Sequence, residues 1–482
     1  ADSPTHHMKF SFTHFTDHLS PVLVKELRQG LRTRAFIAFF LILQALLILT
    51  VFGDLGESLG ASSKGRGGSS EVFWFFIGAA LLYFLPLRGF WAVSTEIKSN
   101  TLELIFLSHL TAWRIVVGKW TSLMAQTFLF VCAVLPYMLL RYFVGGINLI
   151  EDFQILLIMF LGSACLTAFS VAVSAFNSKI ATGLFSFGGI ILISVLGAFI
   201  TTFGRRGTSI SESDFYIIFL SLGSLFLMTM LLVGASKIAP PAENFAKWKR
   251  IMALLGLVIS ISFMAFDIAP ELSLVVVALL TFFICFIALG EEPRFIPSIC
   301  KPFVRKGALG RLSGRFFYPG WPSGVRFTLC VTVILFLAAS LSSEINHKSI
   351  IFTLALLASL LAPLALLKLI PLNSEGVERL GYFPLQIGLF IASYALMILA
   401  QIFNVWRDFI EVIIPHTTVA KLAFDAGRTN DWGVPAVYFG FLSAASLVIL
   451  IVKMLPLDRK MRETEQIAIQ EIEQEKQTTT VS

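Results

Sequence analysis

Charged side chains are scarce in this chain. Asp, Glu, Lys and Arg make up 14% of its 482 residues, where a water-soluble domain carries roughly 25%. That shortage excludes a polar surface of the usual kind. The 56% hydrophobic fraction recurs instead in blocks long enough to span a bilayer, which takes about 20 helical residues. Cysteine is also rare. Cys132, Cys165, Cys285, Cys300 and Cys330 are scattered with no CxxC pair, so they read as buried thiols and suggest neither a metal site nor a disulfide framework.

Catalytic motifs are missing as well. No G-x-x-x-x-G-K-[ST] occurs: Gly118-Lys119 runs into Trp120, and the glycines at 65, 67 and 68 precede serines without the lysine. ATP binding by a phosphate cradle is thereby excluded. There is no H-E-x-x-H, and no G-x-S-x-G stands in a credible context. No catalytic residue is assigned and the chain reads as a non-enzyme. The apolar blocks are nearly free of ionisable residues, which an ion-coupled carrier keeps near the membrane midplane. Arg88 and Lys368 lie close to block ends, where they can snorkel. Gln44 and Gln126 read as side chains that join helices by hydrogen bonds. The net charge of +7 sits in short segments between blocks, and no span-free basic domain exists to hold nucleic acid.

What is present is an all-α, polytopic membrane helix bundle of about twelve spans in two groups of six. The spans are expected at 35–53, 72–93, 115–140, 153–175, 180–203, 214–235, 251–267, 272–290, 326–341, 349–367, 384–404 and 434–452. Of the 37 basic residues, the outer segments hold Lys64, Arg66, Arg141, Arg205, Arg206, Lys348, Arg407, Lys421 and Arg428. The excess therefore falls on the inner segments, which predicts both termini in the cytoplasm and an inner-membrane, multi-pass protein. Residues 1–7 read as a tag remnant, and no cleavable signal peptide is expected after them. Residues 8–34 form an amphipathic interfacial segment, 35–240 a first six-span domain, 241–455 a second, and 456–482 a polar cytoplasmic tail, expected as a frayed helix. Ala239-Pro240-Pro241 is the break between the two membrane domains.

Two segments carry the functional reading. In Ser20–Arg34, Ser20 is an N-cap and Pro21 the first helical residue. Leu19, Leu23, Leu27 and Leu31 form one stripe while Lys25, Arg28 and Arg32 group opposite, the pattern of a helix lying in the membrane interface. This pattern suits a basic anchor or a partner-binding element. In Ser94–Trp120, Asn100 followed by Glu103 resembles a capping box, which predicts a short helix over Thr101–Ser108. Thr111 is a second N-cap, for the third span. The short helix could dock a soluble subunit or simply link two spans.

The order PVLVKELRQGLRTRAF, one span, and EIKSNTLELIFLSHLTAWRIVVGKW after the second span resembles the ABC-2 family of exporter permeases. The resemblance covers Leu19 to about Ala235. Its matched positions are Glu96, Thr101, Leu102, Glu103, Leu104, Leu110, Ile115, Gly118 and Lys119. Asn100 stands where glycine is usual, and Ser108-His109 where Thr-Pro is usual. The resemblance implies a permease that works as a dimer, from two copies of the chain or its two halves. It implies a separate ABC ATPase that binds ATP and Mg, with no cofactor on this chain. Ser20–Arg34 would then be a connecting helix bearing Lys25, Glu26, Arg28 and Arg32. Coupling to the ATPase would run through Glu96, Asn100, Thr101, Leu102, Glu103, Leu104 and His109. An ion-coupled secondary transporter and a non-transporting membrane scaffold stay open as alternatives.

Overall fold

Most of the long helices are apolar on every side, the composition of helices surrounded by lipid and by one another. The computed structural model describes residues 21–59, 68–101, 107, 110–144, 148–176, 212–266, 281–341, 347–370, 381–403, 415–416 and 433–481. Among them all regular structure is helical and there is no strand. The chain divides into two compact units. One comprises Ala1–Asn177 with Phe226–Ile238, the other Ser178–Leu225 with Ala239–Ser482.

The first unit opens with α1 (Pro21–Leu31) and α2 (Arg34–Leu59). Pro21 starts α1 where its missing N–H costs nothing. The Thr33 hydroxyl donates to the Gly30 carbonyl at 2.8 Å where α1 ends. α3 (Gly68–Gly78) runs into a π-helical stretch at Ala79–Phe84, a turn at Leu85–Leu87 and a 3-10 turn at Arg88–Trp91. Pro86 explains the irregularity: it has no N–H for the carbonyl one turn back, and widened turns just before it absorb the mismatch. After α4 (Ser94–Lys98) come α5 (Ala112–Val144) and α6 (Leu149–Ser174). Asn148 caps α6 by accepting from the Ile150 N–H at 3.2 Å. α7 (Glu212–Ile238) contributes its second half to this unit.

Large side chains fill one part of this core. Phe36, Leu43 and Leu47 of α2 meet Phe73 and Ile77 of α3 and Phe130 and Val134 of α5, with Phe130 edge-on to Phe36 at 5.3 Å. Small residues close another part. Ala164, Thr167, Ala168 and Ala172 are buried along α6, and a Cβ built on Gly234 would lie 3.1 Å from the Ala172 Cα. In lipid, where apolar burial gains little, such close backbone approach is what holds helices together. The outward faces carry Leu41, Ile42, Leu49 and Phe52 on α2 and Phe128, Leu140 and Phe143 on α5, all exposed. Apolar surface of this extent belongs against acyl chains. The protein is membrane-embedded.

In the second unit, α8 (Phe245–Ala265) is capped by Asn244, which accepts from the Lys247 N–H and donates to the Phe317 carbonyl, each at 3.2 Å. Residues 281–289 are helical. α9 (Pro297–Val304), α10 (Gly307–Phe317), α11 (Trp321–Leu341), α12 (His347–Leu369), α13 (Tyr382–Phe403) and α14 (Gly433–Val481) follow. The core gathers Leu257, Cys285, Leu289, Trp321, Val325, Leu360, Leu364 and Leu450. Arg250 and Glu291 are buried beside it. Glu291 pairs with Arg250 and Lys249, each at 2.7 Å, and the Arg250 guanidinium also donates to the Phe316 carbonyl. Burial opposes the charge on Glu291, but the two cations outweigh it and hold its carboxyl below the ordinary range.

Among the described residues six helical stretches are long and apolar enough to cross a membrane: Arg34–Gly56, Val72–Lys98, Ala112–Phe143, Leu149–Ser174, Tyr216–Ile238 and Val437–Thr478. A seventh results if the bent pair Gly307–Phe317 and Trp321–Leu337 is one span. The expected span at 180–203 lies outside the described residues, as do residues 272–280 of the one expected at 272–290. The others fall on helices, but those expected at 251–267, 349–367 and 384–404 are not among these candidate spans. The tail differs from expectation. It is not frayed but continues the last span as one 49-residue helix, so the boundary expected at 456 lies inside α14. Glu465, Ala468 and Ile472 are buried at helical spacing. Ala468 packs with Ile299, Cys300, Phe303 and Tyr318, and Lys301 pairs with Glu471 at 3.0 Å and Glu475 at 2.7 Å.

Candidate functional site

Lys119 stands about two turns into α5, and its side chain is only 5% exposed. Its ammonium lies 3.1 Å from a Glu26 carboxylate oxygen and 2.8 Å from one of Glu96. One buried cation thus joins three elements: α1 through Glu26, α4 through Glu96, and α5. A lysine this enclosed needs such partners, because removing an ion from water costs several kcal/mol unless opposite charge replaces the solvent. The second Glu96 oxygen is buried with no hydrogen-bond partner among the described residues.

α1 is seated on α5 along the face that carries Glu26. Gly30, one helical turn later, sits against the Gln126 amide so closely that a Cβ there would collide with it. The Gln126 oxygen accepts from the Arg88 guanidinium, which also lies 5.2 Å from the Phe36 ring centre. Gln126 therefore links α5 to the second span through Arg88. Lys25, Arg28 and Arg32 are exposed on the opposite side of α1, leaving a basic face beside the anchored one.

α4 leads from Glu96 to a sharp reversal. Asn100 has φ of +54°, the left-handed region that glycine favours and asparagine tolerates best among the other residues. Its N–H donates to the Ile97 carbonyl at 3.2 Å, and the Thr101 hydroxyl donates to the Glu96 carbonyl at 3.3 Å. Asn100 was expected as an N-cap, which requires extended backbone. Its geometry corrects that role: Asn100 terminates α4. Leu102, Glu103, Leu104 and His109 lie outside the described residues, as does most of the short helix expected over Thr101–Ser108. Thr111 caps α5, accepting from the Arg114 N–H at 3.4 Å.

A second buried ionic cluster occupies the far end of α5. Arg141, 1% exposed, pairs with Asp54 of α2 at 2.8 Å and lies 4.0 Å from Asp152 of α6. Its guanidinium is 4.0 Å from the Phe73 ring centre. Residues 120–140 between the two clusters carry no charge. At 1.5 Å per residue, Lys119 and Arg141 are about 33 Å apart along the axis, close to the ~30 Å hydrocarbon core of a bilayer. The two clusters thus bracket the lipid-embedded part of the unit.

Sequence reasoning named Glu26 and Glu96 as separate site residues and matched Lys119 without giving it a role. Their meeting depends on α1 folding back along α5. Asp54, Arg141 and Asp152 were missed; the signal was two acidic residues and a basic one, each immediately flanking the end of an apolar block. Among the described residues no group of His, Cys, Asp and Glu is arranged to hold a metal ion. The chain matches no protein-family profile, no curated protein and no solved structure.

Proposed function

We propose that the chain is the membrane-spanning permease subunit of an ATP-driven exporter of the ABC-2 kind, with ATP and Mg bound by a separate ATPase. The observation that carries this reading is the Lys119 junction. It ties the amphipathic helix α1 to the segment that precedes the proposed coupling helix and to a membrane-crossing helix. A push delivered beyond Asn100 then reaches α1 and α5 together instead of dissipating in a loose loop. The exposed Lys25, Arg28 and Arg32 offer the ATPase or the lipid headgroups a basic surface beside that junction.

In this reading the Lys119 end faces the cytoplasm, in keeping with the basic-residue asymmetry. Twelve spans form two groups of six with both termini inside, and two permease units pair across the transport path. The positions of the buried acids favour ATP coupling over ion coupling. Asp54 and Asp152 sit at helix ends locked to Arg141, whereas a coupling ion is bound near the midplane.

The test is whether an ABC ATPase is encoded beside the chain and co-purifies with it, followed by reconstitution. The chain alone should show no ATP hydrolysis, and the complex should show hydrolysis that substrate stimulates. Leu104→Pro should leave insertion intact and abolish ATPase binding or stimulation, since proline within a helix costs about 3 kcal/mol or more. Normal binding and stimulation in that variant would return the segment to a passive link.

A further inference from the structure

The three faces of α10 are unequally used. At about 100° per residue, Gly310 and Gly314 share one side, which is seated on the protein. A Cβ at Gly314 would lie 2.6 Å from the Tyr318 ring, and one at Gly310 would meet the Phe303 carbonyl. Leu309 and Leu312 share a second side and are 82% and 55% exposed. Arg311 and Arg315 lie between these two sides, also exposed. An apolar face flanked by arginines has no solvent-side reason to exist.

Its direction and depth identify what covers it. The axis of α10 makes an angle of 96° with the Trp321–Leu337 part of α11. A helix at right angles to a membrane-crossing helix lies in the plane of the bilayer. Its level is fixed by its last turn: the Phe316 carbonyl accepts from Arg250, and Arg250 is immediately followed by the apolar run that starts at Ile251. Lys247, Lys249 and Arg250 gather at this same level, at the start of α8. Trp248 on α8 is half exposed. Tryptophan and basic residues at one level mark the interface between acyl chains and headgroups.

We infer that α10 is an in-plane anchor that sets Leu309 and Leu312 at the acyl boundary and binds anionic phospholipid headgroups through Arg311 and Arg315. Each arginine forms charge-assisted hydrogen bonds to phosphate oxygens, and the leucines bury their side chains roughly 5–10 Å into the boundary. The bent pair is then an interfacial helix followed by a span. This inference is independent of whether the protein transports anything.

The experiment uses the full chain with its cysteines replaced, carrying one environment-sensitive fluorophore at Leu312→Cys or Leu309→Cys. Glu473→Cys on the exposed side of the tail is the aqueous reference. Each is placed in nanodiscs of phosphatidylcholine alone and of equal parts phosphatidylcholine and phosphatidylglycerol. Quenching by acrylamide, which is neutral and water-soluble, should be at least about threefold weaker at 309 and 312 than at 473. Quenching by lipid spin-labelled near the headgroup should be stronger. Phosphatidylglycerol should deepen the shielding, and Arg311→Gln with Arg315→Gln should abolish that difference. Acrylamide access equal to that at 473, in discs holding no other protein, overturns the anchor and marks α10 as a surface for a soluble partner. Shielding that ignores phosphatidylglycerol overturns the headgroup assignment.

Discussion

Lys119→Met removes the cation shared by Glu26 and Glu96 while keeping the volume of the side chain. Removing one partner of a buried ion pair typically costs about 3–5 kcal/mol, because the other is left charged without compensation. Here the two carboxylates retain 24% and 19% exposure, so water recovers part of the loss and about 2–3 kcal/mol is expected. The penalty falls on the seating of α1, whose other polar-facing contact is Gly30 against Gln126. Native-state hydrogen exchange reads local opening directly. At 1.4 kcal/mol per decade, the amides of α1 should exchange roughly 30- to 150-fold faster, with those in the middle of α6 unchanged. Adding Glu26→Gln and Glu96→Gln to Lys119→Met should restore most of the protection, since no uncompensated charge then remains. Unchanged protection of α1 in Lys119→Met would refute the claim that this junction holds the helix.

Asn100→Val should destabilise the α4 turn by about 1–2 kcal/mol, because a β-branched residue resists φ of +54°, while Asn100→Gly should be near neutral; thermal unfolding of the detergent-solubilised pair compares them. Arg141→Met leaves Asp54 and Asp152 facing each other without their cation and should cost about 3 kcal/mol or more, whereas adding Asp54→Asn and Asp152→Asn should recover much of it; the same melts read both. The tail should respond to acid. Hydrogen bonding from Lys301, then its charge, holds the Glu475 carboxyl below the ordinary range. A depressed carboxyl stabilises docking above its unfolded pKa and loses that contribution as pH falls through the folded one. The distance between spin labels on α9 and at residue 473 should therefore hold steady through neutral pH and widen only below the usual carboxylate range.

The six or seven spans found among the described residues were legible because lipid demands a simple pattern: about 20 apolar residues in a row. The α1 helix was legible for the same reason, since its leucine stripe and basic face obey one period. Asn100 was misread because an asparagine ahead of a helix and an asparagine behind one look alike in sequence, and only the sign of φ separates them. The buried clusters were hidden for a different reason. Glu26 and Lys119 are 93 residues apart and Asp54 and Arg141 are 87 apart, and no local period encodes which charges meet. The tail was read as polar because Glu and Gln outnumber its apolar residues. Yet Met461, Ala468 and Ile472 are enough to seat it, because a helix needs only one narrow stripe to dock.

The single run of α14 from Gly433 to Val481 has a mechanical consequence. Helical backbone is stiff along its axis, so the portion beyond Pro456 reaches about 36 Å past the membrane-crossing portion. A tilt of about 10° in the bilayer would sweep the distal end through roughly 6 Å, if the rod stays straight. Pro456 removes one axial hydrogen bond and is the natural place for that rod to yield. Glu471 and Glu475, far out on the arm, grip Lys301 where such a sweep would be large, so the strap between α9 and the arm resists rocking of the last span with the greatest mechanical advantage.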